Sequence, residues 1–353
     1  MEMKYIFIIG TRPEYIKLKP VIEKVEDAIV ICTCQQPNLS LQFNRLDVAI
    51  YYCENWQHDS LQNQINWIVS EISRMYTQGR REHKLDYINK HIALNLLDKF
   101  TIIVQGDTTS AFCGALFGFL NQIPVYHVEA GMRSSDLYNP FPEEGFRRMI
   151  SQIATKHFCT TESDAENIHH LIASNLTGED VHVVGSTTLD EIDPLPTSYS
   201  NTVLITLHRR ENWDKLDDWF QALSIIADHH HHLEFVVYKH TNPAVTKHYP
   251  KNSRLLFFDP VPHQQLISHL RHCRFVITDS GGLQEEAVWL QKRVLLCRET
   301  TERQEGIDSG HILLCPTSEL LLANFEAIVD NPEINSDCPF GDGKASQYIK
   351  ELL

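Results

Sequence analysis

No stretch of the 353-residue chain approaches the roughly 20 consecutive apolar residues that a membrane-spanning helix needs, so no membrane partner is expected. The nine cysteines, at positions 32, 34, 53, 113, 159, 273, 297, 315 and 338, are scattered, mostly inside apolar strand-like segments. None forms the C-x-x-C spacing of a zinc or redox site, and buried free thiols are expected. Walker, G-x-G-x-x-G, H-E-x-x-H and G-x-S-x-G patterns are all missing, which removes the commonest rival chemistries. Basic residues are in deficit: 31 Lys and Arg against 46 Asp and Glu give a formal charge of −15. A sequence-independent nucleic-acid surface needs the opposite balance, so no nucleic-acid partner is expected, and any anionic ligand must meet local cations. The amino terminus offers only the short apolar run Tyr5 to Ile9 before a turn, with no small-residue cleavage site, which reads as a cytoplasmic enzyme.

What is present is a soluble composition, 42% hydrophobic and 22% charged, in a chain long enough for two domains. Short β-branched runs alternate with amphipathic stretches, the pattern of parallel sheets covered by helices on both faces. Strands are expected at 5–9, 29–33, 102–105, 125–128, 157–160 and 181–184, then at 203–207, 235–238, 255–258, 275–278, 294–297 and 312–314, with a helical pattern over 61–75. The fold class is therefore α/β, two doubly wound Rossmann-like domains, with a junction in the proline- and serine-rich stretch Asp193 to Asn201. Ligands of open parallel sheets bind outside the carboxyl ends of the strands, so two such sheets predict a cleft. His229 to His232 resemble a metal tract, yet they follow a helical segment and precede a strand, where a solvated turn is expected.

The chemistry-bearing residues sit where strands end. GTRPEYIK (10–17) closes the first strand with a capping threonine and with Pro13 at the first helical position; Arg12 and Lys17 are either anion ligands or solvated cations. GDTTS (106–110) places Asp107 as a catalytic acid or as a helix cap. HVEAGMR (127–133) delivers Glu129 to the sheet's carboxyl edge, and PFPEEGFRR (140–148) puts Glu143 and Glu144 in a first helical turn. There they serve chemistry or the helix dipole, and Arg147 stands four residues after Glu143 as a simple partner on that helix. HRREN (208–212) ends a strand with His208 and two arginines suited to phosphate, TDSGGLQEE (278–286) offers Ser280, Gly281 and Gly282 for close backbone approach and Glu286 for ribose hydroxyls, and ETTERQE (299–305) adds Arg303.

In this order GTRPE, GDTTS, HVEAGMR, PFPEE, HRREN, TDSGG-x-QEEA, TTER and FGDGKAS closely resemble the non-hydrolysing UDP-N-acetylglucosamine 2-epimerases, from residue 6 to about 347. The resemblance implies a GT-B fold in which residues 1–192 form the catalytic domain, 193–341 the UDP-binding domain, and a final helix at about 342–353 packs back on the first, usually in a homodimer. It implies interconversion of UDP-GlcNAc and UDP-ManNAc, or of a closely related UDP-2-acetamido sugar. UDP leaves to give a 2-acetamidoglucal and then adds back. Asp107, Glu129, Glu143 and His208 match catalytic positions; Arg12, Lys17, Ser280, Gly281, Gly282, Glu286 and Arg303 match substrate- and UDP-binding ones. His208 and Arg303 would stabilise the departing diphosphate, so neither metal nor other cofactor is expected. A hydrolysing epimerase and a GT-B glycosyltransferase remain as alternatives. The chain departs from the family at Gln35, Gln36 and Pro37, where a Gln-His-Arg stretch is usual, through about residue 63, at Phe146, Leu207 and Gln304, and across Val261 to Leu266.

Overall fold

The computed structural model describes residues 3–36, 39, 46, 48–53, 60–82, 99–134, 136–172, 180–193, 197–240, 242–251 and 254–353. The chain divides into two compact units, Met1–Glu191 with Gly343–Leu353, and Ile192–Asp342. In the first unit the strands are β1 (Met3–Ile9), β2 (Ala28–Cys32), β3 (Ala49–Tyr52), β4 (Lys99–Gln105), β5 (Val125–Ala130), β6 (Lys156–Cys159) and β7 (Val181–Val183). Their helices are α1 (Arg12–Ile22), α2 (Leu61–Glu82), α3 (Thr109–Leu120), α4 (Glu143–Ile153) and α5 (Glu162–Ile172). The second unit holds β8 (Thr202–Thr206), β9 (Glu234–Tyr238), β10 (Leu255–Phe258), β11 (Phe275–Thr278), β12 (Val294–Leu296) and β13 (Ile312–Leu314). With them run α6 (Leu216–His229), α7 (Pro243–Thr246), α8 (His263–His272), α9 (Gly281–Trp289), α10 (Gln304–Asp308) and α11 (Ser318–Ile328), while α12 (Ala345–Leu352) returns to the first unit.

Among the described residues the strands form two parallel sheets, ordered β3-β2-β1-β4-β5-β6-β7 and β10-β9-β8-β11-β12-β13. Both are doubly wound, and the direction of winding reverses between β1 and β4 in one and between β8 and β11 in the other. These are the switch points at which such sheets bind ligands. The expected strands are recovered with ends shifted by up to three residues. One strand, β3, was not anticipated, because its four residues AIYY alternate buried and half-buried over too short a run to announce a period.

Alternation along the strands feeds two cores at once. In β1, Ile6 and Ile8 pack with Ile102, Val104 and the apolar faces of α2 and α3, whereas Phe7 and Ile9 pack with Leu18, Val21 and Ile349 from α1 and α12. Each such side chain, fully removed from water, contributes about 1.5–3 kcal/mol. Helix α12 is anchored at both ends: Asp190 accepts from the Ala345 and Ser346 amides at 3.1 and 2.7 Å, and the Tyr5 hydroxyl and Lys156 ammonium donate to the terminal carbonyls of Leu353 and Leu352, both at 2.6 Å. A cation at a helix carboxyl end also suits its dipole. Of the proline-rich junction, residues 194–196 lie outside the described residues. The amides of Ser198 and Ser200 donate to Arg271 and His272 carbonyls at 3.2 and 3.0 Å, inside the second unit. The histidine run forms the end of α6 and its turn, with His230 against Glu326 at 2.8 Å.

Helix α3, TSAFCGALFGFL, is the most apolar helix of the first unit and sits close to the sheet. A Cβ on Gly118 would stand 2.4 Å from Val125 Cγ2 and 3.2 Å from Ile102 Cδ1. Gly118→Val is therefore expected to overpack this contact and destabilise the protein by about 2 kcal/mol or more, read from the urea midpoint; an unchanged midpoint would contradict the packing.

Candidate functional site

At the first switch point the loops after β1 and β4 are fastened together by one acid. Glu14, the third residue of α1, is fully buried, and its Oε2 accepts from the Gly10 amide (3.0 Å), the Thr11 amide (2.7 Å) and the Thr11 hydroxyl (2.8 Å). Its Oε1 accepts from the Thr108 hydroxyl at 2.6 Å, across from the other loop. Burial pushes this carboxyl up to about 7, against the pull of the hydrogen bonds from Thr108, Thr11 and Gly10. Thr108, not Asp107, caps α3 by accepting from the Ala111 amide at 3.0 Å, which removes the capping explanation of Asp107. Pro13 is the second helical residue rather than the first, because Arg12 already begins α1.

Asp107 is free to meet the start of α4. Arg147 donates to it through Nε at 3.0 Å and through Nη2, and through Nη1 to Glu144 at 3.2 Å. The arginine is thus more than a helix partner for Glu143. The two adjacent glutamates have separate fates: Glu144 is fully buried between Arg147, Arg148 and the Ser134 amide, a structural anchor, while Glu143 opens the helix half-buried.

Glu129 reaches the same edge by a device invisible in the sequence. The register of β5 against β6 shifts between Val128 and Ala130, and Glu129 takes a left-handed φ of 61°. A bulge of this kind re-aims a side chain, and a non-glycine residue held there is strained. The carboxylate is met by Lys17 and by the Gln105 amide, and it lies 3.8 Å from where a Cβ on Gly106 would stand, beside the Asp107 turn. Arg12 is exposed at the first position of α1, its amide donating to Gln36 at 2.8 Å, and Gln35 accepts from the Ser110 amide and hydroxyl at 3.1 and 2.7 Å. The departures at 35 and 36 thus brace the two loops.

The second switch point repeats the plan. Asp279, fully buried at the end of β11, accepts from the His208 amide (3.0 Å), the Arg209 amide (2.8 Å) and Asn212 Nδ2 (3.1 Å) of the loop after β8. His208 stacks on His240, ring centroids 5.3 Å apart, with Nδ1 3.8 Å from Asp279. Ser280 precedes α9, whose first residues are Gly281 and Gly282. A Cβ on Gly281 would stand 3.1 Å from Arg209 Nη2 and 3.2 Å from Arg303 Nη1, so two guanidinium groups converge on a helix amino terminus. Such a terminus favours an anion. Arg303 is held by Glu285 at 2.5 Å, and Glu286, nearly buried, by His263 at 2.6 Å. The side chains of Arg210 and Glu211 lie outside the described residues.

The structure therefore groups Lys17, Asp107 and Glu129 with Glu143's helix in one unit, and His208, Ser280, Gly281, Gly282, Glu286 and Arg303 in the other. Glu14, Gln105, Arg147, Arg209 and Asp279 join them. The signal for Glu14 was present as a capping box, Thr11-x-x-Glu14; nothing local marks Asp279.

The family model of the UDP-N-acetylglucosamine 2-epimerases matches residues 93–353. The chain belongs to that family. It is 31% identical to the UDP-N-acetylglucosamine 2-epimerase of Bacillus subtilis over 379 residues, covering 100% of this chain and 95% of the relative. Among solved structures it is similar to the Neisseria meningitidis UDP-GlcNAc 2-epimerase bound to UDP-GlcNAc (TM-score 0.81, 28% identity, 99% of each chain). It is also similar to a putative UDP-N-acetylglucosamine 2-epimerase of Listeria monocytogenes (TM-score 0.83, 27% identity, 100% and 96%). The two doubly wound sheets are the GT-B fold of this epimerase family, and the chain is an enzyme of the isomerase class.

Two histidines behind the epimerase's first switch point contribute to its acid sensitivity. His127 and His157, paired across β5 and β6, are fully buried, and burial pushes them down to about 4 and about 3. An unfolded histidine titrates near 6.5, so below about pH 6.5 the unfolded chain takes up protons the folded one refuses, and stability falls toward pH 4 by up to about 1.4 kcal/mol per pH unit for each. His157→Leu is expected to reduce that slope, in urea titrations between about pH 6 and 4.5, by about one proton; an unaltered slope would contradict the assignment.

Proposed function

We propose that the protein interconverts UDP-GlcNAc and UDP-ManNAc, or a closely related UDP-2-acetamido sugar, without hydrolysis. The observation that carries this reading is the meeting of two acids, Asp107 and Glu129, at one sheet edge, each with its own cation, Arg147 and Lys17. The C2 hydrogen is not beside a carbonyl and becomes acidic only as the C1–O bond to UDP breaks and positive charge grows on the ring. One carboxylate takes the C2 proton as UDP leaves with the bonding electron pair, giving the 2-acetamidoglucal. A second acid returns a proton to C2 from the opposite face while the diphosphate oxygen re-forms its bond to C1. Inversion needs a group on each face, which a single base does not supply. Asp107, Glu129 and Glu143 are the groups that divide this work.

The first unit is the catalytic domain in this reading and the second the UDP-binding domain. Arg12 and Lys17 bind substrate on the first. In the second, the amide-rich start of α9 at Ser280, Gly281 and Gly282, with Arg209, Arg303 and His208 around it, stabilises the departing diphosphate, and Glu286 accepts from the ribose. Preorganised donors of this kind act where charge develops. Among the described residues no helix is long and apolar enough to cross a membrane, which accords with a cytoplasmic enzyme.

Incubation of UDP-GlcNAc in D2O is expected to give UDP-ManNAc carrying deuterium at C2 by NMR; free ManNAc would instead mark a hydrolysing enzyme, and a protium-retaining C2 would sink the reading. Asp107→Asn and Glu129→Gln should each lower kcat by about 10²–10⁴, the usual range for a general acid or base, with UDP still bound.

The epimerase acts as a homodimer in this reading. Support comes from the outer faces of α3 and α4, where Phe119, Leu120 and Met149 are exposed beside half-buried Phe112 and Ile153. Sedimentation velocity should show a dimer, and Phe119→Glu with Leu120→Glu should yield monomers; a monomeric parent would refute this assignment.

A further inference from the structure

The turn that carries Asp107 is gripped on both sides by buried side chains that the proposed chemistry leaves unused. On one side His127 Nε2 lies 2.8 Å from the Gly106 carbonyl oxygen. That oxygen only accepts, so Nε2 carries the hydrogen, and Nδ1 is buried with no hydrogen-bond partner. On the other side the Thr108 hydroxyl donates to Glu14 Oε1 at 2.6 Å while its oxygen accepts from the Ala111 amide at 3.0 Å. Asp107 lies between the two ties. Gly106 has a left-handed φ of 66°, and a glycine there brings little stiffness of its own. Arg147 holds the tip of the Asp107 carboxylate, and the two ties hold its root.

We propose that Glu14 and His127 are positioning residues which together fix the Gly106–Thr108 turn and so aim the Asp107 carboxylate for proton transfer. The inference rests on the reading of Asp107 as an acid–base residue. Both groups are fully buried, and they act through the backbone on either side of Asp107. Their neutral and ionic forms fit the task. A histidine driven down to about 4 by burial stays a neutral Nε2–H donor across the working range, and Glu14, with three donors on Oε2, keeps Oε1 for the Thr108 hydroxyl when it is ionised.

The test uses the full chain with UDP-GlcNAc in D2O. His127→Leu removes the donor and keeps the volume, His127→Gln restores an amide N–H, and Glu14→Gln keeps the shape while reversing the bond to Thr108. Because a misplacement of about 1 Å costs on the order of 10² in rate, kcat and C2 deuterium exchange should fall together by about tenfold or more in His127→Leu and Glu14→Gln. KM and the calorimetric Kd for UDP should stay within about twofold, since the ties act on the reacting geometry and not on the nucleotide. His127→Gln should recover most of kcat. A purely structural role lowers the urea midpoint and the yield of folded protein but leaves kcat per folded molecule at the parent value, and that result overturns the proposal, as does a His127→Gln variant as slow as His127→Leu. Should His127→Leu fail to fold, Glu14→Gln reads the same turn from its other side. Asp107→Asn separates the layers: parent-rate exchange in that variant removes the Asp107 reading and this proposal together, whereas lost exchange there with unchanged kcat in the other variants removes only the positioning role.

Discussion

A buried carboxylate bridges each switch point, and the site depends on it. Where winding reverses, neighbouring strand ends diverge and leave backbone N–H groups without ladder partners, a cost that grows with burial. Glu14 gathers Gly10, Thr11 and Thr108 in one unit, and Asp279 gathers His208, Arg209 and Asn212 in the other. Each acid satisfies the donors of its loops and sets the spacing between them. The open ends of a parallel sheet are thereby turned into a fixed frame.

On that frame the two units carry different chemistry. The first sets acids against cations, Asp107 with Arg147 and Glu129 with Lys17, which holds both carboxylates in place at the sheet edge. The second presents the start of α9, with Arg209 and Arg303 converging on Gly281, a concentration of positive potential in a chain whose overall charge is −15. In the proposed function it is this local placement of cations, and not net charge, that binds the anionic nucleotide. The family to which the chain belongs is named for inversion at C2 of a nucleotide sugar, and this division of labour suits that reaction.

Much of this was legible in the sequence. Short continuous apolar runs gave nearly every strand, since parallel strands inside a doubly wound sheet are buried on both faces and leave few polar positions. The motif order gave the family, and the strand ends gave the positions of Asp107, Glu129 and His208 at the sheet edges. What stayed hidden depends on tertiary contact. The bulge that turns Glu129 toward Lys17 has no local signature, and β3 is too short to show a period. Glu144 is singled out from Glu143 by its burial against Arg148 and the Ser134 amide, the latter a group that the sequence does not place beside it. Asp279 reads as one more acid until β8 is seen beside β11.

The central claim is that the sugar–nucleotide bond opens and re-forms inside the enzyme while the neighbouring carbon inverts. Positional isotope exchange tests it most directly. UDP-GlcNAc labelled with ¹⁸O at the bridge between C1 and the β-phosphorus is incubated with the enzyme and followed by ³¹P NMR. The account predicts that label moves into the non-bridging β-phosphate positions as epimerisation proceeds, because the released diphosphate rotates before it adds back. Epimerisation with the label confined to the bridge would contradict the account of a diphosphate that is released, turns and adds back.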